Sequence, residues 1–312
     1  MRRALLLVLL AGLAAPAAAD RGDAGSNAGD FLRLGHGAAP AAQGEAYVAR
    51  GGVLESLQYN PAGLALIDRP GVLFAHNQYL LDVTSNHLGI GIPLGGRWAL
   101  GGSVSALDYG DFTRRTISNP GGVGTFDAGA FSGGLTLARR LTSAWSLGAT
   151  VKGFDEEIDD ANRSGYAIDV GLHYRSVRGI LEAGVAVRNV GGRVRFDTVR
   201  EAIAAELSAG ASVRLFEERL RLSGEVVDVR DQEVEFRGGA EFAVVPRLLV
   251  RAGYDSRNDL GEGYSLGLGF EVTRNFQLDY AYVPFRQAGD SHRVSLTAYW
   301  GDSPETGTAE SP

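Results

Sequence analysis

From residue 72 to residue 300 the chain repeats one local pattern, a short segment in which every second residue is apolar. In residues 264–272, Tyr264, Leu266, Leu268, Phe270 and Val272 share one face, and Ser265, Gly267, Gly269 and Glu271 share the other. A strand has a side-chain period of two, so such a segment needs an apolar medium on one side and a polar one on the other. The pattern predicts strands over residues 72–81, 85–94, 98–108, 125–138, 145–154, 165–175 and 180–190, and again over 206–216, 220–229, 234–244, 248–255, 263–272, 276–285 and 292–300. Most of them have the length of about nine to eleven residues that crosses a bilayer at the tilt of a barrel strand.

The gaps carry a second rhythm. Links 95–97, 139–144, 176–179, 217–219, 245–247 and 273–275 are short, and between them fall the longer links 109–124, 155–164, 191–205, 256–262 and 286–291. Links 82–84 and 230–233 break the trend. Short turns on one side and long loops on the other mark a transmembrane β-barrel with short periplasmic turns. A water-soluble sandwich would need no such asymmetry. Trp98, Trp145, Leu248 and Phe276 follow short turns and Trp300 closes the last strand, where an interfacial aromatic girdle would lie. The expected fold class is all-β: a transmembrane antiparallel β-barrel of about fourteen strands over residues 71–300, behind an N-terminal plug or hatch.

Composition refines this reading. Arg2 and Arg3, an apolar run over residues 4–13 and the small residues Ala17 and Ala19 lay out a Sec-type export signal over residues 1–19, with cleavage near Ala19 and localisation in the bacterial outer membrane. Mean hydropathy is only -0.04 because lumen-facing polar residues cancel lipid-facing apolar ones. Removing Arg2 and Arg3 from 30 basic residues leaves 28 against 37 acidic ones, a balance that argues against nucleic acid as a partner. There is no cysteine, hence no disulfide or thiolate metal site. Outer-membrane lipid is the expected surrounding, and a residue set 301–312 follows the barrel as a tail.

Candidate chemistry is sparse. His36, His76, His87, His173 and His292 stand at no metal-ligand spacing. Residues 155–160 concentrate five carboxylates in what reads as a solvated outer loop. No nucleophile, base and orienting group converge in the pattern, so an enzyme is not expected, nor a cofactor or metal. Glu182, Arg188, Arg214, Arg221, Glu225, Glu235, Arg237, Glu241, Arg251, Glu271, Asp279 and Arg293 fall mostly on the inner face. Their mixed signs predict a network that braces the wall and holds a plug, where an ion filter would show one sign.

Residues 20–70 differ in texture. A Gly-, Asn- and Asp-rich start gives way to an Ala-rich stretch and to Leu54, Leu57, Leu64, Leu66 and Ile67, which predict short helical pieces broken at Asn60-Pro61. About fifty residues suffice to fold back into the lumen as a hatch. Within it Gly35-His36-Gly37-Ala38, Ala46-Tyr47-Val48-Ala49 and Asn60-Pro61-Ala62-Gly63-Leu64 resemble the opening of the PorV/PorQ family of outer-membrane proteins, itself similar to FadL-type barrels. That resemblance implies a fourteen-stranded barrel with an N-terminal hatch.

Two roles follow from it. One is an accessory or interaction role in type IX-like protein secretion or surface attachment, with secretion-system proteins as partners and a patch around Phe112 and Phe126 to meet them. The other is FadL-like transport of hydrophobic small molecules, with Leu54, Leu57, Leu64, Leu66 and Ile67 as the apolar floor of the ligand site. The resemblance places the accessory role first.

Overall fold

The structure is a computed structural model that describes residues 29–79, 83–159, 161–196, 199–257, 262–285 and 289–301. The export signal and the tail past residue 301 lie outside the described residues. Fourteen strands close into one antiparallel barrel: β1 (Gly71–Gln78), β2 (Thr84–Gly95), β3 (Trp98–Thr116), β4 (Asn119–Arg140), β5 (Trp145–Ile158), β6 (Ala161–Arg175), β7 (Leu181–Gly191), β10 (Glu206–Leu215), β11 (Leu220–Val229), β12 (Glu235–Val245), β13 (Leu248–Asp255), β14 (Tyr264–Thr273), β15 (Phe276–Pro284) and β16 (Asp290–Tyr299). Strands β8 (Arg193–Phe196) and β9 (Val199–Ala202) form a separate hairpin in the link between β7 and β10. Gly71 of β1 stands opposite Gly91 on one side and Tyr299 on the other, so the sheet has no free edge. A closed ladder is what lets strands meet lipid, where an unpaired backbone group finds no water.

The period-two pattern sorts the faces as read. Leu266, Leu268 and Phe270 stand outward and about half exposed, while Ser265, Asp279 and Ser295 are buried in the lumen. Outward Leu, Val, Ile and Phe side chains on strand after strand stand exposed, and such a belt reads as lipid-facing.

The long links differ from expectation. Residues 109–124 do not form a loop: β3 and β4 run on as a hairpin of 19 and 22 residues with its turn at Ile117 and Ser118. Residues 111–121 are exposed on both faces, so no apolar alternation marks them, and backbone pairing alone makes them strand. The acidic segment from residue 155 is likewise strand, paired with β6 as far as Ile158 opposite Ala161. At about 3.4 Å per residue β4 is much longer than a bilayer crossing, and this corner of the barrel projects beyond the wall.

The lumen is filled by residues 29–67. They hold little regular structure: 3-10 turns over Asp30–Arg33 and Pro61–Leu66 and single α-turns over Ala38–Ala41 and Ser56–Tyr59. The last α-turn ends where expected, because Pro61 forces Asn60 into extended backbone at φ -157°. Backbone groups that no helix satisfies bond to the wall instead. Ala38 N donates to Ser295 Oγ (3.1 Å), Gly44 N to Ser265 Oγ (3.3 Å) and Val48 N to Glu225 Oε2 (2.9 Å). The segment enters at the projecting end, where Phe31 and Leu32 pack on Leu107, Phe154, Val194 and Ile203, and descends to the short-turn end before joining β1.

Candidate functional site

The hatch is seated by shape and then by charge. Asn60-Pro61-Ala62 lies in a notch made by three glycines on adjacent strands. A β-carbon on Gly148 would come within 2.3 Å of the Pro61 carbonyl carbon, one on Gly171 within 2.0 Å of Asn60 Oδ1, and one on Gly184 within 2.0 Å of Val48 O. Asn60 uses both ends of its amide there. Nδ2 donates to Val48 O (2.8 Å) and Leu172 O (3.2 Å), and Oδ1 accepts from Ala62 N (3.1 Å), which caps the following turn. Gly63 and Leu64 complete the motif; Gly63 packs on Ser56 and Arg50, and Leu64 is fully buried.

Leu54, Leu57, Leu64 and Ile67 form one apolar cluster with Leu73, Ala99 and Ala138 of the wall, and Leu66 is partly buried beside Gly51. The paired glycines Gly91 and Gly101 leave room for these side chains, at 2.5–2.7 Å from their own missing β-carbons. Four of the five residues read from sequence as a floor thus lie together at the short-turn end, with Leu66 outside the cluster. Their packing is tight, as in a core.

Charge fixes the opposite side. Arg33 donates to Glu235 Oε1 (2.6 Å) and Gln232 Oε1 (2.7 Å) and lies 3.4 Å from Glu206, while Arg50 pairs with Glu241 (3.0 Å). Arg188 donates to the Gln58 carbonyl (2.6 Å) and pairs with Glu206. Arg251 joins Glu241 to Asp279, at 2.7 and 2.6 Å. Of the twelve inner charges read from sequence, ten are buried, and Arg214 and Glu271 are half-buried at the rim. Charges taken out of water persist only when paired and hydrogen-bonded, and here the hatch supplies several of the partners.

Glu45 and Glu55 show how the hatch manages its own carboxyls. Burial pushes Glu45 up, but the Arg293 guanidinium at 2.7 Å and the Tyr59 hydroxyl outweigh it and hold the carboxyl below its ordinary value. For Glu55 burial, and then Asp279 nearby, outweigh a backbone hydrogen bond and the more distant Arg50 and Arg251, and raise it to about 7. Burial also keeps His36 well below the usual imidazole range, stacked on His87 at 4.4 Å with its Nε2 on Ser105 Oγ (3.1 Å). His173 lies in the lumen and its Nε2 donates to the Ala49 carbonyl (3.0 Å). No group of metal-ligating side chains occurs among the described residues.

Among the described residues a cavity of about 310 Å³ lies between the hatch at Ala41, Gly44 and Glu45 and the upper wall at Ser265, Val283 and Phe285. Arg293 and Glu45 close one side as a pair and Asp255 with Arg257 another, at 3.6 Å. The cavity is therefore part apolar and internally charge-balanced. A second space of about 20 Å³, room for one water, lies between Leu57 and Gln58 of the hatch and Ser103, Ser105, Lys152 and Asp169 of β3–β6. Only Leu57 of the five floor residues touches either space. Val283 and Phe285 were legible only as strand residues, since nothing local marks which wall positions the hatch leaves uncovered. Phe112 and Phe126 stack on each other across the projecting hairpin, with ring centroids 5.3 Å apart.

No protein-family model and no curated protein matches the chain. Solved structures do. The toluene transporter TbuX of Ralstonia pickettii is similar with a TM-score of 0.64 at 14% identity, over 87% of this chain and 100% of that one. CymD, a monoaromatic hydrocarbon channel, gives 0.64 at 13%, over 86% and 98%. A Pseudomonas aeruginosa FadL homologue gives 0.58 at 12%, over 85% and 98%. The fold is therefore that of the FadL-type barrels, as the sequence implied. The PorV/PorQ assignment, the finer of the two, finds no counterpart among these neighbours.

Proposed function

We propose that the chain is an outer-membrane channel that admits small apolar molecules, the role the sequence reading placed second. The observation that carries this is the 310 Å³ cavity that the described residues leave between hatch and wall. Its size is that of a small-molecule site, and its apolar part, Ala41, Val283 and Phe285, suits a compact hydrocarbon body. Neighbours of the same fold bear names that specify toluene and monoaromatic hydrocarbons, and that class is carried over here. Leu54, Leu57, Leu64, Leu66 and Ile67 act as the seal on the periplasmic side, which a passing molecule must part. The accessory role rests on the hatch motifs, and for the Asn60-Pro61-Ala62 element the seating in its glycine notch gives a packing reason for the sequence.

The test is uptake of labelled toluene by cells whose outer membrane carries the chain as the added channel, against a polar solute of similar size. Faster entry of toluene alone supports the reading. Equal entry with and without the chain, together with a stoichiometric protein companion on purification in mild detergent, would restore the accessory role.

A further inference from the structure

The short-turn end of the barrel carries a ring of arginines that have no carboxylate partner among the described residues. Every one of the six short turns contributes: Arg97, Arg139 with Arg140, Arg178, Arg219, Arg247 and Arg274. All seven are exposed, and none has a carboxylate within ion-pair distance among the described residues. Five of the six turns contain no acidic residue at all. The exception holds Glu217 and Glu218, and Glu218 is taken by Arg214 at 3.1 Å. The far end is mixed in sign, with Asp111, Asp127, Glu157, Asp231, Glu233 and Glu262 beside Arg114, Arg115, Arg163, Arg193, Arg230 and Arg257.

Depth identifies what the ring meets. Trp98, Trp145, Phe242 and Phe276 stand outward at this same end, each more than two-fifths exposed. Arg139 lies over the Trp98 ring at 4.8 Å and Arg219 over Phe242 at 5.6 Å. Outward aromatic rings sit at headgroup level, and an arginine stacked on such a ring holds its guanidinium among the phosphates. The arginines also encircle the barrel. A partner protein docks on one sector, whereas a lipid leaflet touches the whole circumference.

We infer that this ring binds the phosphates of anionic phospholipids in the periplasmic leaflet and sets the depth and orientation of the barrel. The inference rests on the membrane-spanning reading of the fold. Arginine supplies planar donors matched to phosphate, and a basic cluster at a surface attracts anionic lipid additively.

The experiment is native mass spectrometry of the full chain from micelles doped equally with phosphatidylglycerol and phosphatidylcholine. Wild-type protein should retain phosphatidylglycerol roughly tenfold over phosphatidylcholine, and added salt should erode that ratio. Replacing all seven arginines by glutamine should bring it to about one, and E217Q/E218Q should raise it. A wild-type ratio of one, or a ratio insensitive to both salt and the sevenfold change, overturns the inference. The salt series needs no variant, so it decides even if the sevenfold protein does not fold. An acidic protein captured by the ring while the lipid ratio stays at one would assign the ring to that partner instead and overturn it equally. Insertion into vesicles of phosphatidylglycerol and phosphatidylcholine in equal parts tests the membrane-spanning reading separately. A barrel that inserts there with a lipid ratio of one loses only the ring's role, whereas one that fails to insert loses both.

Discussion

Asn60 Oδ1 lies 2.0 Å from the point that a β-carbon on Gly171 would occupy. The side chain of the hatch and the missing side chain of the wall are one fitted joint, tightened by the bond from Asn60 Nδ2 to Leu172 O. Gly171 has no need of positive φ; its role is the space it leaves.

Gly171→Ala is therefore expected to unseat the motif, stranding the buried amide, at a cost of about 1–3 kcal/mol. Asn60→Ala should cost a similar amount by freeing the Val48 and Leu172 carbonyls. The check is the urea midpoint of the purified barrel together with protease sensitivity of residues 29–67. A Gly171→Ala protein as stable and as protected as wild type would show that the notch is idle space.

Arg33 ties the start of the hatch to Glu206, Glu235 and Gln232. Glu206 keeps Arg188 and Glu235 keeps Arg237 when Arg33 is lost, so neither carboxylate is left alone. Arg33→Ala should cost about 1–3 kcal/mol, less than breaking an isolated buried pair. The loss should be local, seen as faster amide exchange over residues 31–34 with the Asn60 region unchanged. Uniform loosening of the whole hatch would contradict the descent in separately anchored steps.

Glu55 gives the hatch a pH dependence of known sign. Its carboxyl titrates near 7 when folded, above the ordinary 4.5. Between those values the folded hatch holds a proton that the unfolded chain has released. The stability it lends is full below pH 4.5 and is lost as pH rises through 7, by up to about 3 kcal/mol. Unfolding midpoints at pH 4.5 and pH 7.5 should fall with rising pH by more in wild type than in Glu55→Gln. Identical slopes in the two proteins would show that Glu55 does not titrate in this range.

Val283→Trp would fill the cavity beside Ala41 from the wall side, leaving the hatch sequence intact. Losing contacts worth about 1.4 kcal/mol weakens a site tenfold, and toluene uptake should fall by roughly that factor. Unchanged uptake would place the path elsewhere in the lumen.

The sequence by itself determined which residues are strand within the membrane, because a period of two imposed by oil outside and polar groups inside is written locally, as in Tyr264 to Val272. It determined the inward direction of Glu182, Arg188, Arg237 and Arg251 for the same reason. Where both faces meet water that signal fails, and residues 109–124 look like a loop although pairing makes them strand. The partners of the inner charges were beyond local reading: Arg33 and Glu206 are 173 positions apart, and no period relates them. Which glycines are turns and which, like Gly148 and Gly171, are sockets depends on what packs against them. The cavity beside Val283 and Phe285 is decided last, since it is the volume left over once hatch and wall have packed, a property of the assembled lumen that no segment carries alone.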